Sequence, residues 1–459
     1  MISSAKAQRA WHAAYIAATV LSVAFLLFGL GFISGMRQWF PTSLYRRAAM
    51  AYHAYRELYF GRSTRDAFSP DLWREPRTSA RGVTVWDKGA AFDGYTLYTS
   101  GHAQKAILID MDGRVVHEWH LAFRDAWPSP RHVRNPVPAN YMYYHKVRAF
   151  PNGDLMAIFI GEGVTPYGYG LARMDKDSRP IWTFSDCVHH DFALDEDGRI
   201  YTLTHHILDR AIPGLPGVEP PFLNDDVVVL SPDGKELRRV NILEAFRDSD
   251  FAAAIELSRD EQFKGDVLHV NAIRLLGKTA QKTFPFARAG QVLISMRSNG
   301  VLSVLDLDRK SVVWATRGTW WGQHDPDVLD DGGMLLFDNL GHLGAGGRSR
   351  VIEFDPLTLC VRWSYVGSAD HPLCSMVRSE QQRLPNGNTL ITESDGARLL
   401  EVTREGRIVW EFVNPVRDGP GNSLVPIVSS GERIARDALP FLGPAAAPAH
   451  TTGPEGGGA

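Results

Sequence analysis

The chain has 459 residues, 44% of them hydrophobic and 22% charged, with a formal net charge of -3. That is enough apolar material for a sizeable core, and the near-neutral balance gives no electrostatic basis for nucleic acid as a partner. Three cysteines, Cys187, Cys360 and Cys374, make neither a disulfide framework nor a CxxC metal or redox pair. One disulfide is the most they allow, Cys360 with Cys374 being the nearer pair. Three free thiols are the alternative.

From Ala10 to Met36 there is no Asp, Glu, Lys or Arg, and Ala13 to Ser34 is dominated by Ala, Val, Leu, Ile and Phe. A helix of that length crosses a hydrocarbon layer of about 30 Å. Trp11, Tyr15 and Trp39 stand where interfacial aromatics belong. The apolar run is too long for a typical cleaved signal and no A-x-A site follows it, so residues 1–39 read as an uncleaved signal anchor. Lys6 and Arg9 on one side balance Arg37, Arg46 and Arg47 on the other, so charge alone does not orient it. Residues 40–80, with the helical stretch "AMAYHAYREL", read as a stalk. Residues 81–420 read as the folded domain, and 421–459 as a C-terminal extension ending in a low-complexity tail.

Within 81–420 one unit recurs: strand, polar turn, strand. It reads "ILIDMDGRVVHEW" at 107–119, "LARMDKDSRPIWTF" at 171–184 and "VVVLSPDGKELRRV" at 227–240. It returns as "LSVLDLDRKSVVWAT" at 302–316, "RVIEFDPLTLCVRWSY" at 350–365 and "LLEVTREGRIVWEFV" at 399–413. Alternating apolar residues around Asp-rich turns predict β-hairpins. Trp182, Trp314, Trp363 and Trp410 fall at matching places after the turn. Taking Asp110, Asp175, Ser231, Asp306, Asp355 and Thr403 as markers, the last three are 49 and 48 residues apart, a propeller-blade period. Longer spacings imply insertions, and 241–264 looks like a helical one. A second unit, a turn glycine followed by an apolar strand, lies between the hairpins at Gly94, Gly153, Gly198, Gly290, Gly332 and Gly387. Six sets of about four strands, with no crossover helices, predict an all-β, six-bladed β-propeller preceded by a single N-terminal transmembrane helix.

Eight residues before Gly153, Gly198 and Gly332 stand His145, His190 and His324. His269, in "DVLHVNAIRLL", has the same local setting, with a 13-residue insertion before Gly290. The two remaining slots hold Trp86 and Ser379. Equivalent positions in successive blades form a ring about the axis, so four histidines far apart in sequence are expected to converge. The register selects His190 over His189 and leaves His102, His117, His120, His205, His206, His342 and His371 outside. Imidazole serves as nucleophile, general base or anion partner near neutral pH. Arg297 adds a planar cation suited to a tetrahedral oxyanion, and Asn271 a further donor. The set is rich in donors and poor in acids, which suits an anionic sulfuryl or phosphoryl group. Asp191 and Asp325 follow ring histidines and are expected to face away as structural groups. Tyr141, Tyr143, Tyr144, Trp320 and Trp321 are candidates for an aromatic mouth or, alternatively, core.

The segments "HHDFALDEDGRIY", "DVLHVNAI", "LISMRSNGVLSVLD", "GQHDPDVLDDGGMLLFDN", "SRVIEFDP" and "LPNGNTLITESDGARLLEVTREGRIVWEFVNP" together resemble the arylsulfate sulfotransferases, over roughly Gly94 to Pro415. The resemblance implies a six-bladed propeller and ping-pong transfer of a sulfuryl group from a phenolic sulfate ester to a phenol. No nucleotide donor or other cofactor takes part, and the intermediate is a sulfated histidine. It makes His324 the nucleophile, with His190, His269 and Arg297 holding the sulfuryl oxygens and balancing charge. Asn271 supports His269, and one histidine handles the phenol proton. His145 has a ring position, taken as substrate-binding, without a transferred role. By the same resemblance the propeller is expected in the periplasm, on a bacterial inner membrane whose lipid holds the helix. The β-sandwich found at the N-terminus of periplasmic members is replaced here by an anchor and stalk. Two other functions fit a propeller with a histidine ring: a non-enzymatic ligand- or partner-binding module, and a metal-dependent sulfate or phosphate ester hydrolase built on three histidine ligands.

Overall fold

A computed structural model describes residues 2–37, 72–215, 218, 220–255, 265–342 and 348–443. The chain forms two units, Met1–Ala67 and Phe68–Ala459. In the first, Ile2–Arg37 is one helix. Its stretch Trp11–Ile33 is long and apolar enough to cross a membrane, rising about 34 Å at 1.5 Å per residue. The proposed stalk up to residue 71, Trp39 and the tail from 444 onward lie outside the described residues.

The second unit is a six-bladed propeller. Blade 2 (Met142–Ala149, Leu155–Gly161, Gly168–Met174, Pro180–Phe184), blade 3 (Val188–Leu194, Ile200–Leu208, Phe222–Leu230, Glu236–Asn241), blade 4 (Val270–Leu275, Val292–Met296, Val301–Asp306, Ser311–Arg317) and blade 5 (His324–Val328, Met334–Asp338, Arg350–Phe354, Val361–Tyr365) are antiparallel four-stranded meanders. Blade 6 has Glu380–Arg383, Thr389–Glu393, Arg398–Val402 and Ile408–Val413, with Gly82–Trp86 added on its outer edge. Blade 1 has Tyr95–Ser100, Ala106–Ile109 and Val115–Trp119, and its innermost strand comes from the other end of the chain, Val428–Ile434. The first strand of every blade touches the first strand of the next, and the ring closes between blade 1 and its neighbours.

Two expectations change. The folded domain does not end at residue 420, because Val428–Ile434 is a central strand with Val428, Ser429 and Ser430 buried. Trp86 is not a ring residue. It pairs with Trp410 on the outer edge of blade 6, so the vacated ring slot belongs to Ser429. An open ring would expose the edges of its first and last sheets. Joining blades 1 and 6 through strands from both chain ends removes that liability.

Local chemistry accounts for the repeat. All six marker residues cap their hairpin turns. The Asp110 carboxylate accepts the backbone N–H groups of Asp112 and Arg114 at 3.0 and 2.9 Å. Asp175, Asp306 and Asp355 do the same in their turns, and the hydroxyls of Ser231 and Thr403 accept from Lys235 and Arg407. Tryptophans on outer strands reach the following blade. Trp119 donates to the Gly153 carbonyl, Trp363 to Arg404 and Trp410 to Met111. Trp182 lies against Gly234, where an added Cβ would come within 2.6 Å of the indole. Among the described residues the core divides into six apolar clusters, each sandwiched between adjacent blades, such as Leu203, Val227 and Val229 against Val270, Ile294 and Val301. The insertion after blade 3 contributes the short helix Ile242–Arg247, capped by Asn241, and a turn of 3-10 helix at Ala252–Ile255. Its segment 256–264 is outside the described residues. All three cysteines are free thiols.

Candidate active site

The innermost strands do not run straight past the axis. Each of five carries a β-bulge at or beside its ring residue: between Tyr144 and Val147, His189 and Phe192, Val270 and Ala272, His324 and Asp327, and Val428 and Ser430. His190, His269 and Asp325 hold left-handed backbone conformations there, and Ser379 does so ahead of the inner strand of blade 6, with φ between 50° and 79°. Such conformations cost energy in non-glycine residues and re-aim side chains out of the strand alternation. The bulge turns imidazoles toward the axis that a regular strand would bury between blades.

The rings of His145 and His190 lie 5.1 Å apart and those of His190 and His269 5.0 Å apart. His324 and Arg297 complete the group. After burial, Arg297 and His269 depress proton binding at His324, and His324 is among the neighbours that, after burial, lower it at His190 and His145. The Arg297 backbone N–H donates to the His269 carbonyl, which ties the two ends of blade 4 together. The expected ring residues are thus together.

Each of the four imidazoles is tied through Nδ1. His324 Nδ1 lies 2.7 Å from Asn339 Oδ1 and 3.0 Å from the Gly322 carbonyl. Both are acceptors, so the proton sits on Nδ1. The Asn339 orientation is fixed because its Nδ2 donates to the carbonyls of Ser375 and Arg378 at 2.8 and 2.9 Å. His269 Nδ1 lies 2.6 Å from Asp266 Oδ2, His190 Nδ1 2.8 Å from His189 Nδ1, and His145 Nδ1 3.2 Å from the Tyr143 hydroxyl. None of the four Nε2 atoms has a hydrogen-bond partner among the described residues. Burial, with Arg297 second, pushes His324 well below the ordinary imidazole range, and burial does the same to His190 and His145. All three are therefore neutral near pH 7.

Arg297 is the cation nearest His324 in effect, while Arg378 acts on His145. Among the described residues the Arg297 guanidinium makes one hydrogen bond, from Nη2 to the Met376 carbonyl at 3.3 Å, and its buried Nε has no partner. Burial lowers its proton affinity, against the opposing carboxylate of Asp266. A guanidinium with buried, unused donors is prepared for an anion, since such donors otherwise go unsatisfied. The hydroxyl of Tyr167 is likewise buried without a partner, its ring 5.5 Å from His190 and 6.1 Å from His269.

Several roles differ from expectation. Asn271 does not reach His269; its Nδ2 donates to the Gln323 carbonyl at 2.7 Å, so it steadies the residue before His324. Asn339, Asp266, His189 and Tyr167 join the site from outside the histidine register. Asn339 closes the same segment as His324, but it pairs with it through hairpin closure, which spacing alone does not reveal. Tyr141, Tyr143, Tyr144 and Trp320 are buried, Tyr144 bonded to Leu121 and Trp320 to Gly300. Of the five aromatics, Trp321 alone is exposed, at 45%. Asp191 and Asp325 do face away from the imidazoles: both carboxylates bind Arg274, as does Asp327 at 2.6 Å. Asp191 also accepts the Ile273 N–H and Asp325 the Gln381 N–H. One guanidinium thus pins the inner strands of blades 3, 4 and 5 just past the bulges. Beyond it lies a cavity of about 290 Å³ lined by Lys146, Arg274, Asp325, Asp327 and Glu380, with none of the four imidazoles in its wall.

Among the described residues one trio is close enough to be weighed as a metal centre: His189, His205 and Asp225, all buried. The two imidazoles stack at 4.3 Å with planes 24° apart. A metal binds in the plane of an imidazole, and two stacked rings direct their lone pairs side by side rather than at one point. The trio does not fit a metal.

Residues 146–415 match the family model for arylsulfotransferase (ASST). No curated protein matches the sequence. Among solved structures, a Bacteroides caccae protein of unknown function is 12% identical, covering 73% of this chain and 99% of that one, with a TM-score of 0.46. A streptogramin B lyase is 12% identical (78% and 96% covered, TM-score 0.38). Selenomethionine-substituted virginiamycin B lyase from Staphylococcus aureus is 11% identical (75% and 88% covered, TM-score 0.38). These scores are too low to bear on function.

Proposed function

We propose, since this chain belongs to the arylsulfotransferase family, that it moves a sulfuryl group between phenols through a covalent histidine. The observation that carries the proposal is His324. Its Nδ1–H is held by Asn339 and Gly322, its Nε2 is bare, it is neutral, and a guanidinium with unused donors lies beside it. A neutral imidazole with a fixed tautomer is a competent nucleophile at pH 7.

In the first half-reaction the Nε2 lone pair attacks sulfur of an aryl sulfate, the S–O(aryl) bond breaks, and phenoxide leaves with its electron pair. Arg297, with His269 beside it, meets the sulfuryl oxygens as charge shifts onto them, and His190 faces the aryl oxygen. Phenol departs, and a second phenol attacks the sulfated His324 after giving up its proton. Donor and acceptor use one site in turn, a ping-pong sequence that requires no nucleotide. Asn271 acts by holding the strand that carries His324, and His145 borders the acceptor side. The helix Trp11–Ile33 would hold the enzyme at a bacterial inner membrane, with the propeller in the periplasm.

Incubating the detergent-solubilised chain with an aryl sulfate, followed by mass spectrometry of the peptide containing His324, tests the proposal. A sulfuryl mass on that residue, absent from His324→Ala, is expected. Turnover without labelling that stops on adding a chelator would transfer the chemistry to a metal. Absence of both labelling and turnover would leave a binding propeller. A topology reporter fused to the C-terminus decides the side of the membrane.

A further inference from the structure

The ping-pong sequence moves a proton twice. A leaving phenoxide needs one, and an acceptor phenol must lose one. His190 is placed to exchange it, with Nε2 unpartnered and Nδ1 2.8 Å from His189 Nδ1. His189 is fully buried, and its Nε2 lies 3.3 Å from Asp225 Oδ1, within ion-pair reach although the alignment falls short of a hydrogen bond. Asp225 is also fully enclosed, and its other oxygen accepts the Val270 N–H at 3.3 Å. Among the described residues no Arg or Lys pairs with it, and burial raises its proton affinity against the opposing influence of His189. A carboxylate, an imidazole and a second imidazole therefore form a line from the interior to the axis.

We infer, resting on the transfer reaction proposed above, that Asp225–His189–His190 is a proton relay that stores one proton between the two half-reactions. Loaded, His189 carries protons on both nitrogens beside the Asp225 carboxylate and donates through Nδ1 to His190 Nδ1, which leaves His190 Nε2–H facing the substrate. As the S–O(aryl) bond breaks and the N–S bond forms on His324, the leaving oxygen takes the Nε2 proton. His190 Nδ1 takes the His189 Nδ1 proton, and His189 becomes neutral. In the second half the acceptor O–H proton passes to His190 Nε2, and the His190 Nδ1 proton returns to His189. The new O–S bond forms as the N–S electron pair goes back to His324 Nε2. One proton is lent and recovered, so no outside acid or base is needed.

The arrangement keeps the relay's positive charge out of the site, where Arg297 already stands. The groups facing His189 fit this role. Asp225 and His205 come from its own blade, His205 stacking on its face at 4.3 Å. Tyr167 and His145 face it from blade 2, and Asp266 from the approach to blade 4. His205 is neutral, held well below the ordinary range by burial and by His189 itself. Asp225 and His189 are positioning residues; neither meets substrate.

Donors that differ in their need for a proton test the relay. Para-nitrophenolate leaves unprotonated, whereas the phenoxide of phenyl sulfate needs an acid. In Asp225→Asn and His189→Gln, single-turnover sulfation of His324 by phenyl sulfate is expected to fall about 100-fold and that by para-nitrophenyl sulfate less than about 5-fold. Equal losses with both donors would reduce the pair to structural support and overturn the relay. Should both variants fail to fold, by circular dichroism, a proton inventory of the unaltered chain with phenyl sulfate decides. A bowed dependence on deuterium fraction, from two protons in flight, supports the relay; a linear or flat one overturns it. Labelling of His324 in the same protein separates this outcome from failure of the transfer reaction as a whole.

Discussion

Asn339 Oδ1 accepts the Nδ1 proton of His324 at 2.7 Å, while the amide nitrogen of Asn339 is held by two backbone carbonyls. The amide cannot turn over without losing both, so the imidazole cannot change tautomer without opposing two like groups. Replacing Asn339 with Leu removes this control and lets the ring rotate. The burst rate of para-nitrophenolate release is expected to drop about 100-fold with little change in KM. Stopped-flow absorbance measures it, and an unchanged burst would show that the tautomer is not limiting.

Arg297 serves both substrate and nucleophile. Replacement by Met is expected to lower kcat about 100- to 1,000-fold, the range for losing an oxyanion donor. The same change removes the charge that, after burial, depresses His324, so the acid limb of the residual activity should move up part of the way toward the ordinary histidine value. Arg297→Lys keeps the charge without the fork. It should leave the acid limb in place while kcat still falls.

Attack requires neutral His324, whose proton affinity is lowered by burial and by Arg297. Single-turnover labelling is therefore expected to stay flat as pH falls through about 6.5, the unperturbed value, and to decline only below it. A midpoint at or above 6.5 would contradict the electrostatics. Stability follows the same sign. His145, His190, His205 and His324 all have depressed folded-state values, while the unfolded chain binds protons at the ordinary one. Their contribution is full above about 6.5 and drains away as pH falls below it. Thermal unfolding scans should show Tm dropping on the acid side of that point.

Arg274 holds Asp191, Asp325 and Asp327 together beneath the imidazoles. Arg274→Met leaves three carboxylates facing one another with no counter-charge. Urea unfolding is expected to report a loss of about 3–5 kcal/mol, and any folded fraction should label His324 poorly because the inner strands lose their common anchor. A loss under about 1 kcal/mol would place the cluster among ordinary surface pairs.

Deleting the chain from Leu424 onward removes the inner strand of blade 1 and the Ser429 contact to the His145 carbonyl. The truncated protein is expected to lose cooperative unfolding and protection of Tyr95–Ser100 amides in hydrogen exchange, since that strand would become an exposed edge.

The propeller was legible in the sequence because its blades are local. Hairpin turns, capping residues at Asp110 or Asp355 and alternating apolar strands are each specified within a dozen residues, and repetition made them visible. The convergence of His145, His190, His269 and His324 followed from the same repeat, since equal positions in successive blades share a radius. Arg297 and Asn271 stood near enough to those positions to be named, although the partner of Asn271 was not foreseen.

What spacing could not supply was every relationship made across a bulge, between blades or between chain ends. The left-handed turns at His190 and His269 decide which of two adjacent histidines faces the axis and which backs it. The partner of each Nδ1 comes from a hairpin return, a neighbouring residue or an insertion. The strand that closes blade 1 lies more than 300 residues from its partner. Local backbone preferences are written in neighbouring residues, so the repeat fixes the ring. Hydrogen-bond partners are chosen by closure of the whole ring, so the tautomer, the relay and the anion site exist only once the last strand is in place.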